Sequence, residues 1–489
     1  MTLIRQIVPL LAILAAGACK DLQVPNYNAQ GLSELQNGAN LQGIGAAAVG
    51  LLATTRDFET SFLSSYTSVT GEFGRESLEL DPSNPAHPTE RLDGIGTLEP
   101  GNAGFTTGYK LMKQANTLIA ALGSATGMTD AQKEGVRGFA KTLQAMTLMR
   151  LLVAFDATGL PIDVDIKTTD PVAALATKPQ VQARIAQLLD DARTNLLAAG
   201  TSFSFTFPAG FVSLTQGAAL NTPAQFLKFN RALRARIAAY QATATNTATP
   251  GDVAPYATAL TAIAASFIDP LASMRFGAYD TYSTTSGDRQ NPLFDPTCRQ
   301  LFALPGLEAG AQVNSVTSVI DNRFTTKIQK ITPKPIHTYI VDSCWKLYPA
   351  ADSPLPIIRN EELFLLRAEA LWFTGDKPGA IADIDRVRQA AGLGPSSTAT
   401  PTPLTIASSD ATFITELLYN RLYSLMFEGG HRWADSRRFG RLATLPRALP
   451  RSATGLPDTK IFNNIPLPQS ECLPRGNPAA ACIAPAPIP

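Results

Sequence analysis

The sequence predicts an all-α protein in which tetratricopeptide-like helical hairpins form a right-handed superhelical scaffold with long irregular loop insertions. Three observations support this class. Apolar residues recur at three- and four-residue spacing in several long segments. Two of these segments are joined by a tight turn, and an antiparallel helix pair buries its faces best by stacking on further pairs. The chain also has 36 prolines and 35 glycines in 489 residues, which indicates extensive loops.

The clearest predicted hairpin covers residues 358–393. Its two segments each place apolar side chains on one face at helical spacing. Gly375 suits the end of the first helix, because glycine readily adopts the left-handed conformation of a helix stop. Pro378 suits the first turn of the second helix, and Gly392 its end.

Similar periodicity predicts helices elsewhere, but no strict repeat period connects them. The predicted helices cover residues 37–54, 58–69, 105–122, 129–153, 181–196, 226–242 and 410–427. Thr70–Pro100 is expected to be a long irregular loop, and long loops in compact domains are often functional. We therefore expect one domain over 36–489, with a scaffold in 36–242 and 354–489 and a loop-rich insertion in 243–353.

Residues 1–18 are predicted to be a signal peptide rather than part of the fold. Arg5 provides a basic start, and the apolar run over residues 7–15 is too short to span a membrane. Small residues directly before Cys19 resemble a bacterial lipoprotein signal, so we expect cleavage before Cys19 and its lipidation. The competing interpretation is an ordinary secretory signal with an incidental cysteine. Residues 19–35 would then be a lipidated tether.

Four cysteines remain, and an even number in an exported protein fits two disulfides. Cys472 and Cys482 enclose a short loop, so we prefer to pair them and to pair Cys298 with Cys344. Four cysteines permit three pairings, so this remains a preference. A zinc site of four thiolates is the rival, which the lack of a Cys-x-x-Cys motif disfavours.

A dense group of charged residues around one tryptophan follows the helix predicted over 410–427. It reads His431-Arg-Trp-Ala-Asp-Ser-Arg-Arg. We favour an ion-pair cluster that locks a helix end over a catalytic cluster, since structural ion pairs also gather charge. A metal site is disfavoured because no other histidine lies near His431.

No catalytic residue, metal site or cofactor is predicted. The sequence contains no Gly-x-Ser-x-Gly, phosphate-binding loop or His-Glu-x-x-His motif. His87 and His337 are isolated in predicted loops. A net charge of +1 gives no reason to expect a nucleic-acid partner.

The C-terminal motifs resemble those of the SusD/RagB-like family of outer-membrane nutrient-binding lipoproteins. The helix ending in Phe-Glu-Gly-x-His-Arg-Trp-x-Asp-x-Arg-Arg carries most of the resemblance, and Ile465-Pro-Leu-Pro-Gln-x-Glu resembles the closing element. An extra Gly430 and the sequence Ala434-Asp-Ser depart from the usual pattern. The structural signature residues are Arg359, Glu361, Glu369, Glu428, His431, Arg432, Trp433, Asp435, Arg437 and Arg438.

This resemblance implies a protein anchored by lipid in the outer membrane and exposed at the cell surface. It implies binding of a nutrient, expected to be an oligosaccharide although peptides are also known cargo, and its delivery to a TonB-dependent outer-membrane barrel transporter (SusC-like). No catalysis is implied. Two other classes remain open: a tetratricopeptide-like envelope scaffold that binds a protein, and a surface glycoside hydrolase.

The resemblance also implies that ligand-binding residues lie on loops outside the helical scaffold. Flat aromatic rings stack on sugars, and amide or charged groups fix them by hydrogen bonds. The same composition also fits an ordinary loop with packed aromatics. The residues expected to contact ligand are Phe73, Arg75, Glu76, Tyr279, Tyr282, Arg289, Asn291 and Phe294.

Overall fold

The structure is a computed structural model of the chain. It describes residues 35, 38–59, 65–85, 88–94, 104–165, 170–212, 219–245, 247, 249–476, 482 and 485–489. The predicted signal peptide, Cys19, most of the tether and His87 lie outside these residues. No helix in the described ranges is long and apolar enough to cross a membrane.

Helices dominate the regular structure, which confirms the predicted class. In chain order the α-helices are α1 (Leu41–Thr55), α2 (Tyr66–Phe73), α3 (Phe105–Ala121), α4 (Asp130–Phe155), α5 (Lys178–Ala198), α6 (Pro223–Ala242), α7 (Ala254–Ala264), α8 (Leu307–Gly310), α9 (Asn322–Lys327), α10 (Asn360–Phe373), α11 (Lys377–Ala390), α12 (Asp410–Leu425), α13 (His431–Arg438) and α14 (Gln469–Cys472).

Consecutive helices pack against one another along the scaffold. Helix α3 contacts α4, α4 contacts α5, α5 contacts α6, and α6 contacts α7. Helix α7 then contacts α10, which packs against α11 and α12. Burial of their apolar faces is the main favourable term in folding, and it yields one extended core over α1–α6 and a second around α10–α12.

The α10–α11 hairpin forms as its sequence predicts. Gly375 and Gly392 have φ angles of 99° and 78°, in the left-handed region that glycine adopts without strain. Asp376 caps α11 by accepting a hydrogen bond from the backbone N–H of Gly379 at 2.9 Å. Pro378 lies in the first turn of α11.

A small sheet lies outside the helical scaffold, and the sequence analysis did not predict it. The strands are β1 (Ser77–Glu79), β2 (Leu160–Pro161), β3 (Leu175–Ala176), β4 (Gly277–Asp280), β5 (Leu301–Ala303), β6 (Ile328–Ile336), β7 (Tyr339–Trp345) and β8 (Leu355–Arg359). Four of them form an antiparallel sheet in the order β1-β5-β7-β6, while β2–β3 and β4–β8 form two-stranded pairs.

The helix predicted over residues 58–69 forms only in its last part, residues 66–69, and residues 60–64 lie outside the described chain. Residues 56–58 form a 3-10 turn, and α2 begins only at Tyr66. Ser65 causes this start, because its hydroxyl accepts a hydrogen bond from the backbone N–H of Ser68 at 3.0 Å.

The long loop predicted over Thr70–Pro100 is only partly present. Helix α2 continues to Phe73, β1 pairs with β5, and a π-helical turn covers Thr89–Asp93. Residues 95–100 lie outside the described part of the chain.

The region predicted as a loop-rich insertion, 243–353, has two parts. Helix α7 packs against α6 and α10, so the scaffold continues beyond residue 242. The remainder supplies β4–β7, and β5–β7 pack on a separate hydrophobic core. Cys298 and Cys344 are joined by a disulfide, with their Cα atoms 5.7 Å apart. Cys472 and Cys482 form a second disulfide.

Candidate functional site

Buried ion pairs connect the residues of the C-terminal signature. Arg359, at the end of β8, donates to both carboxylate oxygens of Glu428 at 2.8 and 2.7 Å, and to Glu361 at 2.9 Å. Burial alone would raise the pKa of Glu428, but Arg359 and Lys327 outweigh it and hold that pKa below its usual range. Both members of the Arg359–Glu428 pair are therefore charged inside the protein.

A second buried group centres on Asp435 in α13. Its carboxylate accepts hydrogen bonds from Arg421 at 2.6 Å and from Arg438 at 2.8 Å. Arg438 also donates to Glu369, which accepts from the Tyr256 hydroxyl at 2.9 Å. Arg438 thus bridges two carboxylates through different guanidinium nitrogens, and these ion pairs connect α10, α12 and α13.

Trp433 is fully buried within this region. Its indole N–H donates to the carbonyl of Phe462 at 2.9 Å. Its ring stacks on Phe73 with centroids 5.0 Å apart, and the Arg437 guanidinium lies 4.2 Å from the ring centroid. Arg432 donates to the carbonyl of Arg75, so α13 is bonded to the segment after α2.

His431 is buried beside these ion pairs and lies near Glu362 and Arg236. Burial is the main cause that lowers its pKa to about 4, so the imidazole is neutral at neutral pH. Its Nδ1 has no hydrogen-bond partner among the described residues. The adjoining cavity is about 40 Å³, which is room for a water molecule but not for a sugar.

The first three predicted ligand contacts lie inside the protein. Phe73 packs on Trp433, and Arg75 donates to the backbone carbonyls of Glu72 and Pro446. Glu76 is fully buried, and burial raises its pKa to about 8. A ligand in solution does not reach these side chains in this conformation.

The aromatic residues predicted on the insertion are also covered. Tyr279 and Tyr282 are 2% and 6% exposed, so neither presents a ring face to solvent. Asn291 is buried as well, because its amide donates to the carbonyl of Ser353 at 2.8 Å and stabilises a turn. Phe294 is half-buried, and Arg289 is partly exposed but pairs with Asp57 at 2.6 Å.

An open cleft lies beside the four-stranded sheet, and we call it the sheet cleft. Its volume is about 530 Å³, within the range of small-molecule sites. It is formed by the loop after β1, the turn before β5 and the end of the β6–β7 hairpin. Its lining residues are Pro82, Thr297, Cys298, Arg299, Lys334, Pro335, Ile336 and His337.

The turn before β5 is fixed by Asp295. One carboxylate oxygen of Asp295 accepts hydrogen bonds from the backbone N–H groups of Arg299, Gln300 and Leu301 at 2.8, 2.8 and 3.0 Å. The Cys298–Cys344 disulfide attaches the same turn to β7. This turn therefore holds Thr297 and Arg299 in a defined position at the cleft.

The opposite wall comes from β6 and its hairpin turn. The Lys334 ammonium donates to the carbonyl of Cys298 at 3.0 Å and lies 5.2 Å from the centroid of the Phe302 ring. His337 Nε2 lies 2.7 Å from the carbonyl oxygen of Asp81. Because a carbonyl only accepts, this nitrogen carries the hydrogen. The loop after β1 is thus joined to the hairpin turn.

Sequence reasoning missed most of this cleft. His337 was noticed only as an isolated residue, while Arg299 and Lys334 lie in segments without periodicity. Their proximity depends on strand pairing between distant parts of the chain, such as Phe302 opposite Cys344. The disulfide that we preferred from the sequence was the available signal for this proximity.

Two other open clefts lie on the helical side. The larger, which we call the helix cleft, lies between α5, α6 and α7, has a volume of about 590 Å³ and includes Asp190, Arg193 and Arg234. The smaller, about 320 Å³, lies at α12 and includes Tyr419 and Arg441. No group of three or more His, Cys, Asp or Glu in the described ranges is placed to hold a metal ion.

The architecture is that of a tetratricopeptide-like helical scaffold protein with an inserted sheet. Solved structures with this fold include a SusD-like carbohydrate-binding protein from Bacteroides fragilis, with a TM-score of 0.64 and 14% identity over 90% of this chain and 99% of that one. A laminarin-binding SusD-like protein has a TM-score of 0.61 and 15% identity, covering 89% and 98% of the two chains. NanU of B. fragilis has a TM-score of 0.58 and 16% identity, covering 88% and 95%.

The model of the SusD family matches residues 348–465, which contain α10–α13 and the signature residues. No curated protein matches the chain. This match confirms the resemblance to the SusD/RagB-like family that the C-terminal motifs indicate, and the solved structures show the shared fold.

Proposed function

We propose that this protein is a surface-exposed outer-membrane lipoprotein that binds a glycan and delivers it to a TonB-dependent barrel transporter. The observation that supports glycan binding is the open sheet cleft, which lies outside the helical scaffold and has a volume of about 530 Å³. Its backbone and side-chain polar groups suit a hydroxyl-rich ligand. Structures with the same fold include proteins named as binding carbohydrate and laminarin.

The proposed action is binding without a chemical step. Glycoside hydrolysis needs two carboxyl groups that face each other across the bond to be broken. The described residues that line the sheet cleft include no carboxylate. The carboxylates of the signature are buried in ion pairs with arginines instead.

Anchoring and delivery rest on the sequence. Cys19 follows an apolar segment and small residues, as in a lipoprotein signal. Multiple acyl chains on one cysteine give stable membrane attachment. A lipid-anchored binding protein at the cell surface has the position needed to pass a glycan to a transporter.

Affinity electrophoresis of the purified full-length protein tests the glycan part. The gels contain a panel of neutral and acidic polysaccharides. At least one of these polysaccharides should retard the protein relative to a non-binding control protein. No reducing ends should be released from the retarding polysaccharide, since release would establish the hydrolase alternative. Retardation by no polysaccharide of the panel would overturn glycan binding.

Purification in mild detergent from the outer membrane tests delivery. Mass spectrometry should find a barrel transporter in stoichiometric amount with the lipidated protein. Recovery of the protein alone, or with soluble envelope proteins, would contradict delivery. The latter result would favour the envelope-scaffold alternative, for which the exposed valines 313, 316 and 319 offer an apolar surface.

A further inference from the structure

The ionisable side chains that line the sheet cleft are basic. They are Arg299, Lys334 and His337, and no carboxylate is among the described lining residues. A cleft with basic groups of this kind attracts and orients negative charge. These basic side chains therefore favour a ligand that carries negative charge.

Arg299 is free to bind a ligand. It is exposed, and its guanidinium makes no hydrogen bond or salt bridge within the described part of the chain. Its backbone is held firmly because its N–H donates to Asp295 at 2.8 Å. A guanidinium presents paired N–H donors that match a carboxylate or sulfate bidentately.

Lys334 adds a second positive charge on the opposite wall. Its ammonium group uses one donor on the carbonyl of Cys298 at 3.0 Å. An ammonium has three N–H donors, so two remain for a ligand. The contact with Cys298 holds this charge beside the turn that carries Arg299.

Two carboxylates on the segments that form the cleft are already bonded within the protein. Asp295 caps three backbone N–H groups, and Asp81 accepts from the N–H and hydroxyl of Ser83 at 2.9 and 2.8 Å. Neither carboxylate lines the cleft. The Asp81 carboxylate attracts Arg299 electrostatically, but neither Arg299 nor Lys334 donates a side-chain hydrogen bond to a carboxylate in the described part of the chain.

We propose that the sheet cleft binds an acidic saccharide, with Arg299 and Lys334 holding an oxyanion of the sugar. This inference rests on the proposed glycan-binding function and narrows it. The shared chemistry is a fixed negative oxygen group, which a uronate carboxylate or a sulfate ester supplies. A neutral glycan offers neither cation an oxyanion to bind.

Calorimetric titration with matched polysaccharides tests the proposal. De-esterified polygalacturonate and its methyl ester differ only in the carboxylate, while chondroitin sulfate and desulfated chondroitin differ only in the sulfate. The protein should bind at least one acidic member about tenfold more tightly than its partner, the effect of one hydrogen bond to a charged group. Tighter binding of the acidic member in the polygalacturonate pair alone identifies a carboxylate as the bound group. Tighter binding of the acidic member in the chondroitin pair alone identifies a sulfate.

Variants locate the effect in the cleft. Arg299→Ala and Lys334→Ala should each remove most of the preference for the acidic member. Arg193→Ala is the matched control, because it removes one exposed arginine from the helix cleft and changes the net charge equally. The preference should also weaken in high salt, which screens exposed charges.

The results separate the two proposals. Equal binding within both pairs, binding of neutral polysaccharides alone, or equal loss in Arg193→Ala would overturn the acidic-saccharide inference and leave glycan binding intact. If no polysaccharide binds in the calorimeter and none retards the protein in the affinity gels, the glycan-binding function itself is overturned.

Discussion

The guanidinium of Arg359 donates to both carboxylate oxygens of Glu428 inside the protein, at 2.8 and 2.7 Å. The pair joins the end of β8 to the segment between α12 and α13, and Lys327 adds a contact at 3.2 Å. Taking charges out of water is costly, so such a pair is tolerated only when its members satisfy each other. The signature motif is thus a structural centre of the fold.

Glu428→Gln should destabilise the protein by about 3 kcal/mol or more, because it leaves Arg359 charged and poorly compensated in the interior. Urea unfolding at neutral pH measures the change. Asp288→Asn is the control, because its partner Arg56 is near the surface and such pairs contribute about 1 kcal/mol or less. Equal effects of the two changes would contradict a structural role for the buried pair.

His431 should make the free energy of unfolding decrease as the pH falls. Its folded-state pKa is lowered to about 4, so the unfolded chain takes up a proton near pH 6.5 that the folded protein rejects. Stability from this group is present above pH 6.5 and is lost as pH falls towards 4. The loss should be about 2 kcal/mol by pH 4.5.

His431→Gln should remove that part of the pH dependence. Urea midpoints at pH 7.0, 5.5 and 4.5 compare the two proteins. Burial raises the pKa of Glu362, but Arg236 and His431 outweigh burial and lower that pKa to about 2. The stability that Glu362 contributes is therefore lost mostly below pH 4.5, outside the range of this comparison. Parallel profiles for both proteins would rule out His431 as the source.

Trp433→Ala should cost about 3–5 kcal/mol, because it leaves a cavity where the indole packs between Phe73 and Arg437. Trp433→Phe should cost less, since it keeps the ring contact and loses the hydrogen bond to the Phe462 carbonyl. Thermal unfolding of both variants measures the order. A larger loss for phenylalanine than for alanine would contradict this packing.

Removal of the Cys298–Cys344 disulfide by two serines should weaken glycan binding roughly tenfold, because this bond holds the turn of Arg299 at the sheet cleft. Calorimetry well below the unfolding temperature measures it. Removal of Cys472–Cys482 is the matched control, because neither cysteine lines the cleft. Unchanged binding in the first variant would mean that the disulfide does not organise the site.

The helical scaffold was predictable because its signals are local. The Gly375 and Gly392 stops, the Pro378 start and the apolar stripes of α10 and α11 all act within a few residues. Their interpretation needs no knowledge of distant contacts. The same locality explains why the ends of α10 and α11 fall near the predicted bounds.

The sheet and its cleft were not predictable in this way. Strand β1 has three residues, and its partner β5 lies more than 200 positions further along the chain. Such short strands have no periodicity of their own. Phe73 and Tyr279 were predicted to contact ligand, but both are buried. Composition alone does not show whether an aromatic ring is buried or exposed.

Hydroxyl-radical footprinting with a saturating polysaccharide fragment tests whether the sheet cleft is the glycan-binding site. We expect protection of Ile336 and His337, with no change at Leu197, an exposed residue of α5. Protection in the helix cleft, around Arg193 and Arg234, with none at Ile336 and His337 would rule out the sheet cleft as the glycan-binding site. It would then place the ligand on the helical scaffold.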